Sequence, residues 1–198
     1  MTSRGMQRIL TSLLALAILC FLPFDLKAAP SVTSEYLIKA AFIFKFVNFV
    51  DWPEEKLPQG GDFNLCIIGK NPFEDALFAF DGKRIKRRVM RVWQIKTLKE
   101  LKKCQILYIG PDEAEHVKGI LKNINNRAVL TVGDSEGLSK EGVMINMITL
   151  NNRISFEINI ASARKAGLRI SSKLLNLAKR VYDEKRVSVR RVSEEPVN

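Results

Sequence analysis

Two cysteines, Cys66 and Cys104, have the residue type and spacing best suited to chemistry in this chain. Each lies in a short apolar segment, FNLCIIG or CQILYIG, which is typical of a strand buried on both faces. An even pair of cysteines in an oxidising compartment favours a disulfide, and two buried free thiols are the alternative. Because the two are too few for a Cys-only metal site and His116 is the only histidine, the sequence predicts no metal site.

The segment Gly133-Asp134-Ser135-Glu136-Gly137 differs by one residue from the GDSGG sequence around the nucleophile of chymotrypsin-like proteases. A serine nucleophile needs a histidine base that is oriented by an acid. His116 lies in a charged, predicted helix, and the neighbouring pattern is α/β rather than a double β-barrel. We therefore interpret the segment as a turn after a strand and His116 as a solvated residue. The sequence predicts no catalytic residues, no cofactor and no enzymatic activity.

Two sets of charged residues remain as candidates for binding. Glu157 is the one acid in an apolar strand, and we interpret it as part of a structural ion pair with Arg164 or Arg169. The densest basic run consists of Lys83, Arg84, Lys86, Arg87 and Arg88. A solvated loop is one interpretation of this basic patch, and contact with membrane headgroups or an acidic partner is the other. Binding by charge alone weakens as salt is added.

The first residues indicate where the protein works. Arg4 and Arg8 precede an apolar run from 9 to 24, and small residues follow it, which is the order of a secretory signal peptide over residues 1–28. An uncleaved anchor and a lipoprotein signal at Cys20 are the alternatives. Export predicts a periplasmic protein, for which nucleic acid is not a ready partner. The net charge of +11 then points to anionic lipid, an acidic protein surface or simple solubility.

Strands and helices alternate along the rest of the chain. The pattern predicts an α/β fold, a mostly parallel sheet with flanking helices, in a single domain over residues 34–182. A C-terminal antiparallel hairpin around Asn151-Asn152 and a long helix over 161–182, with Gly167 as a potential break, are expected to close it. Residues 183–198 are predicted to be a charged, flexible tail. The individual elements are expected to be helices over 34–50, 73–80, 98–103 and 111–124, and strands over 63–68, 88–95, 105–109, 128–132, 143–150 and 153–160.

The chain resembles the YfiR-like family of periplasmic proteins. The resemblance runs in order from Glu35 to about Ala178, which is nearly the whole exported chain. No single motif is diagnostic, but the ordered set is fairly specific. The matching stretches in this sequence are EYLIKAAF with FVDWP, CIIG with NPF, CQILYI, LTVGD with Gly137, GVMIN, FEIN and AGLRISSKLL.

The resemblance implies a small α/β protein with no known enzymatic activity. The best-known member represses an inner-membrane diguanylate cyclase by binding its periplasmic part, and an outer-membrane lipoprotein relieves the repression. Members can form homodimers. Cys66 and Cys104 match a family disulfide, and oxidation of the cysteines matters for stability in the family. Glu157 and Ile158 of the FEIN strand, together with Arg169, match the region of the surface that the family uses for partners or small ligands.

Two departures from the family pattern affect these expectations. The best-known member has a second cysteine pair around the segment that matches 142–146, and this chain has none there. Redox control through a second disulfide is therefore not expected. The basic run over 83–88 is heavier than the family pattern requires, so the partner can differ.

These features lead to two functional hypotheses. The first is a repressor that binds an inner-membrane signalling protein, either a diguanylate cyclase or a sensor kinase, with an outer-membrane lipoprotein and a second copy of the chain as further partners. The second is a periplasmic small-molecule-binding protein that passes ligand occupancy to a membrane sensor. It needs a pocket lined by groups such as Trp52, Phe156 or Trp93.

Overall fold

The computed structural model describes residues 32–57, 61–125, 127–183 and 186–189. The predicted signal peptide and residues 190–198 of the predicted tail lie outside the described residues. Within the described ranges, no helix has both the length and the apolar composition that crossing a bilayer requires.

The described strands form a nine-stranded sheet and a separate two-stranded ribbon. The sheet follows the order β11-β10-β8-β7-β6-β5-β2-β4-β3, and the ribbon pairs β1 with β9. The strands are β1 (Val50–Asp51), β2 (Phe63–Ile68), β3 (Arg84–Ile85), β4 (Arg88–Ile95), β5 (Ile106–Ile109), β6 (Leu130–Gly133), β7 (Ile145–Leu150), β8 (Arg153–Asn159), β9 (Arg169–Ile170), β10 (Arg180–Asp183) and β11 (Arg186–Val189).

The centre of the sheet is parallel, as the sequence predicts. Strands β4, β2, β5, β6 and β7 are neighbours and run in one direction. The antiparallel hairpin of β7 and β8 follows, and its turn residues Asn151 and Asn152 both have positive φ, as a tight hairpin turn requires. The hairpin does not close the sheet, because β8 pairs in parallel with β10 and β10 pairs with β11. Residues 186–189 of the predicted tail are therefore a strand.

The α-helices are α1 (Val32–Phe46), α2 (Val117–Ile124), α3 (Leu138–Glu141), α4 (Ile160–Lys165) and α5 (Ser172–Leu177). Short 3-10 helices cover Val47–Phe49, Glu54–Lys56, Phe78–Phe80, Leu98–Lys103 and Pro111–His116. The predicted helix over 73–80 is wrong except at its end. The Asn71 side chain accepts a hydrogen bond from the Phe73 amide and donates one to the Glu74 carbonyl, and these bonds favour turns over a helix.

The predicted long helix over 161–182 is also wrong. Helix α4 ends in a Schellman motif, in which Gly167 at φ +79° donates to the Arg164 carbonyl and Leu168 donates to the Ala163 carbonyl. The chain then enters β9, and Ser171 caps the separate helix α5 through the Leu174 amide. Backbone pairing with β1 and β8 therefore outweighs the helical apolar spacing of this segment.

The two faces of the sheet are covered differently. The α1 face carries α1, the 73–80 segment, α4 and α5 on the larger apolar cluster. The disulfide face carries α2, α3 and the 3-10 helix Leu98–Lys103 on a smaller cluster that includes Cys66 and Cys104.

Candidate functional site

A cleft of about 750 Å³ opens beside the amino ends of β2 and β4, and we call it the amino-edge cleft. One wall is the segment that joins β1 to the following 3-10 helix, and the other is the hairpin of β3 and β4. The described residues that line it are Val47, Asp51, Trp52, Glu54, Glu55, Leu57, Phe63, Ile85, Lys86, Arg87 and Arg88.

The basic patch forms the tip of this hairpin. Ile85 is buried and anchors it, and Lys86 turns the chain at φ +53°. The Lys86 ammonium donates to the Val50 carbonyl at 2.6 Å and lies 3.3 Å from the Asp51 carboxylate. Arg88 donates to the Gly61 carbonyl at 2.9 Å. These two cations therefore already have partners within the protein.

The other three cations of the patch, Lys83, Arg84 and Arg87, are exposed. Their backbone is held in place, because Gly82 donates to the Met90 carbonyl and Met90 donates to the Lys83 carbonyl. The hairpin thus presents positive charge from a fixed position.

Arg169 lies next to this cleft. Strand β9 places Arg169 opposite Asp51 of β1, the carboxylate that also contacts Lys86. The fold therefore brings Arg169 and the basic patch, which are far apart in the sequence, to the same region of the surface.

Trp52 forms the floor of the amino-edge cleft. It is 8 % exposed, packs edge-on against Phe63 at 4.8 Å between ring centroids, and has the Lys86 ammonium 5.7 Å from its own centroid. Its Nε1 has no hydrogen-bond partner among the described residues. The other two aromatic residues of the ligand hypothesis lie elsewhere. Phe156 is in the core against Phe46, whereas Trp93 is 43 % exposed on β4 and donates to Asn64.

Glu157 and Ile158 do not lie on one surface. They are adjacent in β8 and therefore point to opposite faces of the sheet. Ile158 is fully buried in the α1 face, so it presents nothing to a partner in this structure.

Glu157 is in an ion pair, but the predicted partners are wrong. Its carboxylate accepts from Arg180 of β10 at 3.0 Å, whereas Arg164 pairs with Asp183. A hydrogen bond to the Tyr182 hydroxyl, and then the charge of Glu157, raise the pKa of Arg180 above its ordinary value. The parallel pairing of β8 with β10, which the long-helix prediction missed, brings these groups together.

The disulfide between Cys66 and Cys104 is present. Their Cα atoms are 5.8 Å apart, and both residues are buried in the disulfide face. The bond joins β2 to the end of the 3-10 helix Leu98–Lys103. It therefore ties a connecting segment to the centre of the sheet.

A partly buried polar network on the α1 face was not predicted from the sequence. Lys39 of α1 donates to the Asp134 carboxylate at 2.8 Å and lies 2.6 Å from Glu35. The Tyr108 hydroxyl donates to the other Asp134 oxygen at 2.7 Å, and Thr149 donates to Glu35 at 2.7 Å. Lys39 is one turn after Tyr36 and one turn before Ile43, so it lies in the apolar stripe of α1. A lysine in that stripe was the sequence signal that could have indicated a buried charge.

Burial and hydrogen bonding shift the pKa values in this network. Burial, reinforced by Asp134, raises the pKa of Tyr108 and of Tyr36 far above the ordinary value, so both stay neutral hydrogen-bond donors. The hydrogen bond from Lys39, with a smaller one from Thr149, lowers the pKa of Glu35. The network thus holds fixed charges between α1 and the sheet.

The protease-like segment takes no part in a catalytic triad in the described structure. Both carboxylate oxygens of Asp134 accept hydrogen bonds from the network. His116 is exposed, and its Nδ1 lies 3.3 Å from Glu113. In the described part of the chain, no three His, Cys, Asp or Glu side chains cluster as metal ligands do.

The fold and these contacts define a small, disulfide-bonded α/β protein whose charged surface lies beside the amino ends of a parallel sheet. Residues 36–179 match a family described as YfiR/HmsC-like, which covers most of the chain. The protein therefore belongs to the YfiR/HmsC-like family. YfiR-like proteins are periplasmic and are regulators rather than enzymes.

Proposed function

We propose that this protein is a non-enzymatic periplasmic regulator that binds the periplasmic part of an inner-membrane signalling protein, a diguanylate cyclase, and represses it. The observation that carries the proposal is the match of residues 36–179 to a family of periplasmic regulators. A sensor kinase is the alternative target. An outer-membrane lipoprotein that sequesters the repressor, and a second copy of the chain, are the further partners expected from the family.

The surface proposed for the partner surrounds the amino-edge cleft. The exposed cations Lys83, Arg84 and Arg87 lie on one side of Asp51, and Arg169 lies opposite it. A cationic surface on a fixed hairpin favours an acidic surface on the partner, because complementary charge steers association and fixes orientation. Glu157 pairs with Arg180 toward the other end of the sheet order and therefore lies outside this proposed surface.

The first test is cyclic-di-GMP in cells that lack the protein. The nucleotide should rise on deletion, and the full chain should restore it, whereas a chain that lacks residues 2–28 should not. Repression by the non-exported chain would place the activity in the cytoplasm and contradict the proposal. An unchanged nucleotide level would remove the cyclase as the target.

A charge-reversal pair tests the surface. Arg84→Glu with Arg87→Glu reverses two exposed cations beside the cleft, and Lys99→Glu with Lys102→Glu reverses two exposed cations on the disulfide face. Both pairs change the net charge equally. Only the first pair should relieve repression. The same pair should weaken binding of the purified partner domain, as high salt should do for the wild type. Equal loss in both pairs would mean that net charge, not this surface, governs binding.

One observation favours a second candidate function, a small-molecule sensor. Trp52 forms the floor of a cleft of about 750 Å³, and part of its ring is exposed there. A ligand that packs on this ring would raise the melting temperature. A compound that stabilises the wild type but not Trp52→Phe supports this function, and equal stabilisation of both contradicts it.

A further inference from the structure

A second concave region lies at the opposite, carboxyl edge of the parallel strands. Strand β2 is flanked by β4 on one side and β5 on the other, and these are the next two strands of the parallel set along the chain. The segment that joins β2 to β4 crosses the α1 face, and the segment that joins β4 to β5 crosses the disulfide face. The chain therefore adds β4 on one side of β2 and then β5 on the other, so the direction of strand addition reverses at β2. In open α/β sheets, ligands bind outside the carboxyl ends of the strands at this point.

A groove of about 600 Å³ occupies this position, and we call it the carboxyl-edge groove. Segments that follow β2, β4 and β5 all line it. Its volume lies in the range of small-molecule sites in proteins. The lining residues are Ile68, Gly69, Gln94, Ile95, Lys96, Leu98, Glu113, His116, Gly119 and Ile120.

The floor and one wall of the groove are apolar. Ile68, Ile95 and Ile120 belong to the buried cluster of the disulfide face, and Leu98 is 37 % exposed at the wall. Gly119 of α2 leaves the opposite side open, because a Cβ built there meets no atom within 4 Å. An apolar group in this groove would therefore cover the exposed Leu98 side chain and rest on the edges of the buried isoleucines.

The rim of the groove carries one cation, Lys96, and one acid, Glu113. The Glu113 carboxylate lies 3.3 Å from Nδ1 of His116, so it already has a partner within the protein. Lys96 is exposed, and its ammonium makes no hydrogen bond or ion pair with the described residues. Gln94 is occupied by the Gly69 carbonyl, to which it donates at 2.7 Å. Lys96 is thus the side chain available to an anionic group.

The groove is also held in shape before any ligand arrives. Thr97 and Glu100 form a capping box, in which the Glu100 carboxylate accepts from the backbone amides of Lys96 and Thr97. The disulfide fixes the other end of this 3-10 helix at Cys104. A preformed site loses little freedom on binding, which favours affinity.

We propose that the carboxyl-edge groove binds a small organic anion with an apolar body. The body lies on Ile68, Ile95 and Ile120 against the open side at Gly119, and the anionic group pairs with Lys96. This site is separate from the amino-edge cleft, and its existence does not depend on which membrane protein is the partner.

Octanoate is the probe that tests the proposal, with octylammonium as the probe of opposite charge. The protein purified after export is titrated, and the amide NMR signals of Gly69 and Gly119 are followed. Octanoate should shift these signals saturably, and octylammonium should bind more weakly. Lys96→Gln should weaken octanoate binding about fivefold, the effect expected of one exposed ion pair, whereas Lys99→Gln should leave it unchanged.

Gly119→Leu is the variant that blocks the groove. The side chain enters open space, and leucine is a better helix former than glycine, so the fold and melting temperature should be retained. Octanoate binding should be lost in this variant and largely kept in Gly119→Ala. Saturable binding that persists in Gly119→Leu, shifts confined to residues outside the groove, or the absence of saturable shifts in the wild type would each overturn the proposal.

Discussion

The segments that cover the two faces of the sheet are held in place by different chemistry. On the disulfide face, a covalent bond joins β2 to the 3-10 helix Leu98–Lys103. On the α1 face, the first helix is held by packing and by a buried ion pair between Lys39 and Asp134. A disulfide responds to reductant and not to acid, whereas an ionic network responds to acid and not to reductant. Reductant therefore acts on the disulfide face, whereas the buried ion pair adds a sensitivity to acid on the α1 face.

Forming the ionic network requires charged groups to lose their hydration, whereas forming the disulfide does not. The Lys39 side chain is 5 % exposed and that of Asp134 is 1 % exposed, so both charges have lost most of their hydration. Such a pair is stable only when hydrogen bonds satisfy the remaining polar atoms, and Tyr108 and Glu35 provide them. Removing one member should therefore destabilise more than an exposed ion pair would suggest.

The largest expected effect is that of removing the disulfide. Cys66→Ala with Cys104→Ala should lower the free energy of unfolding by about 4 kcal/mol, since the bond closes a loop of 38 residues in the unfolded chain. Urea unfolding without reductant measures this difference. Adding reductant should lower the free energy of unfolding of the wild type toward that of the variant and leave the value of the variant unchanged. A variant as stable as the oxidised wild type would show that the bond does not stabilise this face.

The next effect concerns the α1 face. Lys39→Met leaves the Asp134 carboxylate buried without its cation and should cost about 3 kcal/mol. Lys45→Met replaces an exposed lysine of the same helix and should change stability by less than about 0.5 kcal/mol. Urea unfolding of both variants gives the comparison. Similar losses in the two would mean that the buried pair contributes no more than a surface charge.

A smaller effect is expected at Tyr108. Tyr108→Phe removes the hydroxyl that donates to Asp134 and should cost about 2 kcal/mol, because the acceptor is charged. In a double-mutant cycle with Lys39→Met, the two losses should not add, since both variants remove partners of the same carboxylate. Strict additivity would indicate two independent contacts instead of one network.

The sequence was sufficient for the features that depend on local pattern. The apolar runs FNLCII, ILYI and LTV lie within predicted strands and form the parallel centre of the sheet. Asn151-Asn152 predicted the hairpin, because asparagine tolerates the positive φ that this turn needs. Cys66 and Cys104 were paired by resemblance to the family, and the structure confirms the bond.

The features that depend on distant pairing could not be predicted in the same way. Lys39 and Asp134 are 95 residues apart, so no local spacing joins them. The segment over 161–182 has helical apolar spacing, yet its backbone finds partners in β1 and β8 that the spacing does not reveal. The same tertiary pairing determines that Arg180 holds Glu157 and that Arg169 lies beside the basic patch.

The smallest expected effect is in the pH dependence of stability, and it tests whether acid acts on the α1 face. The hydrogen bond from Lys39 lowers the pKa of Glu35 below its ordinary value of 4.5, so ionised Glu35 stabilises the folded state. This contribution is complete above the ordinary value and is lost as the pH falls through the lowered folded-state value. Glu35→Gln should therefore show a shallower loss of stability in acid.

Glu100 on the disulfide face provides the matched comparison. Backbone amides of Lys96 and Thr97 lower its pKa as well, so Glu100→Gln should also reduce the loss in acid. The two carboxylates differ in exposure, because the Glu35 side chain is 25 % exposed and that of Glu100 is 37 % exposed. Salt screens the more exposed charge more strongly. In urea unfolding at high salt, the remaining acid sensitivity should therefore depend on Glu35 more than on Glu100, and the reverse order would show that acid acts chiefly on the disulfide face.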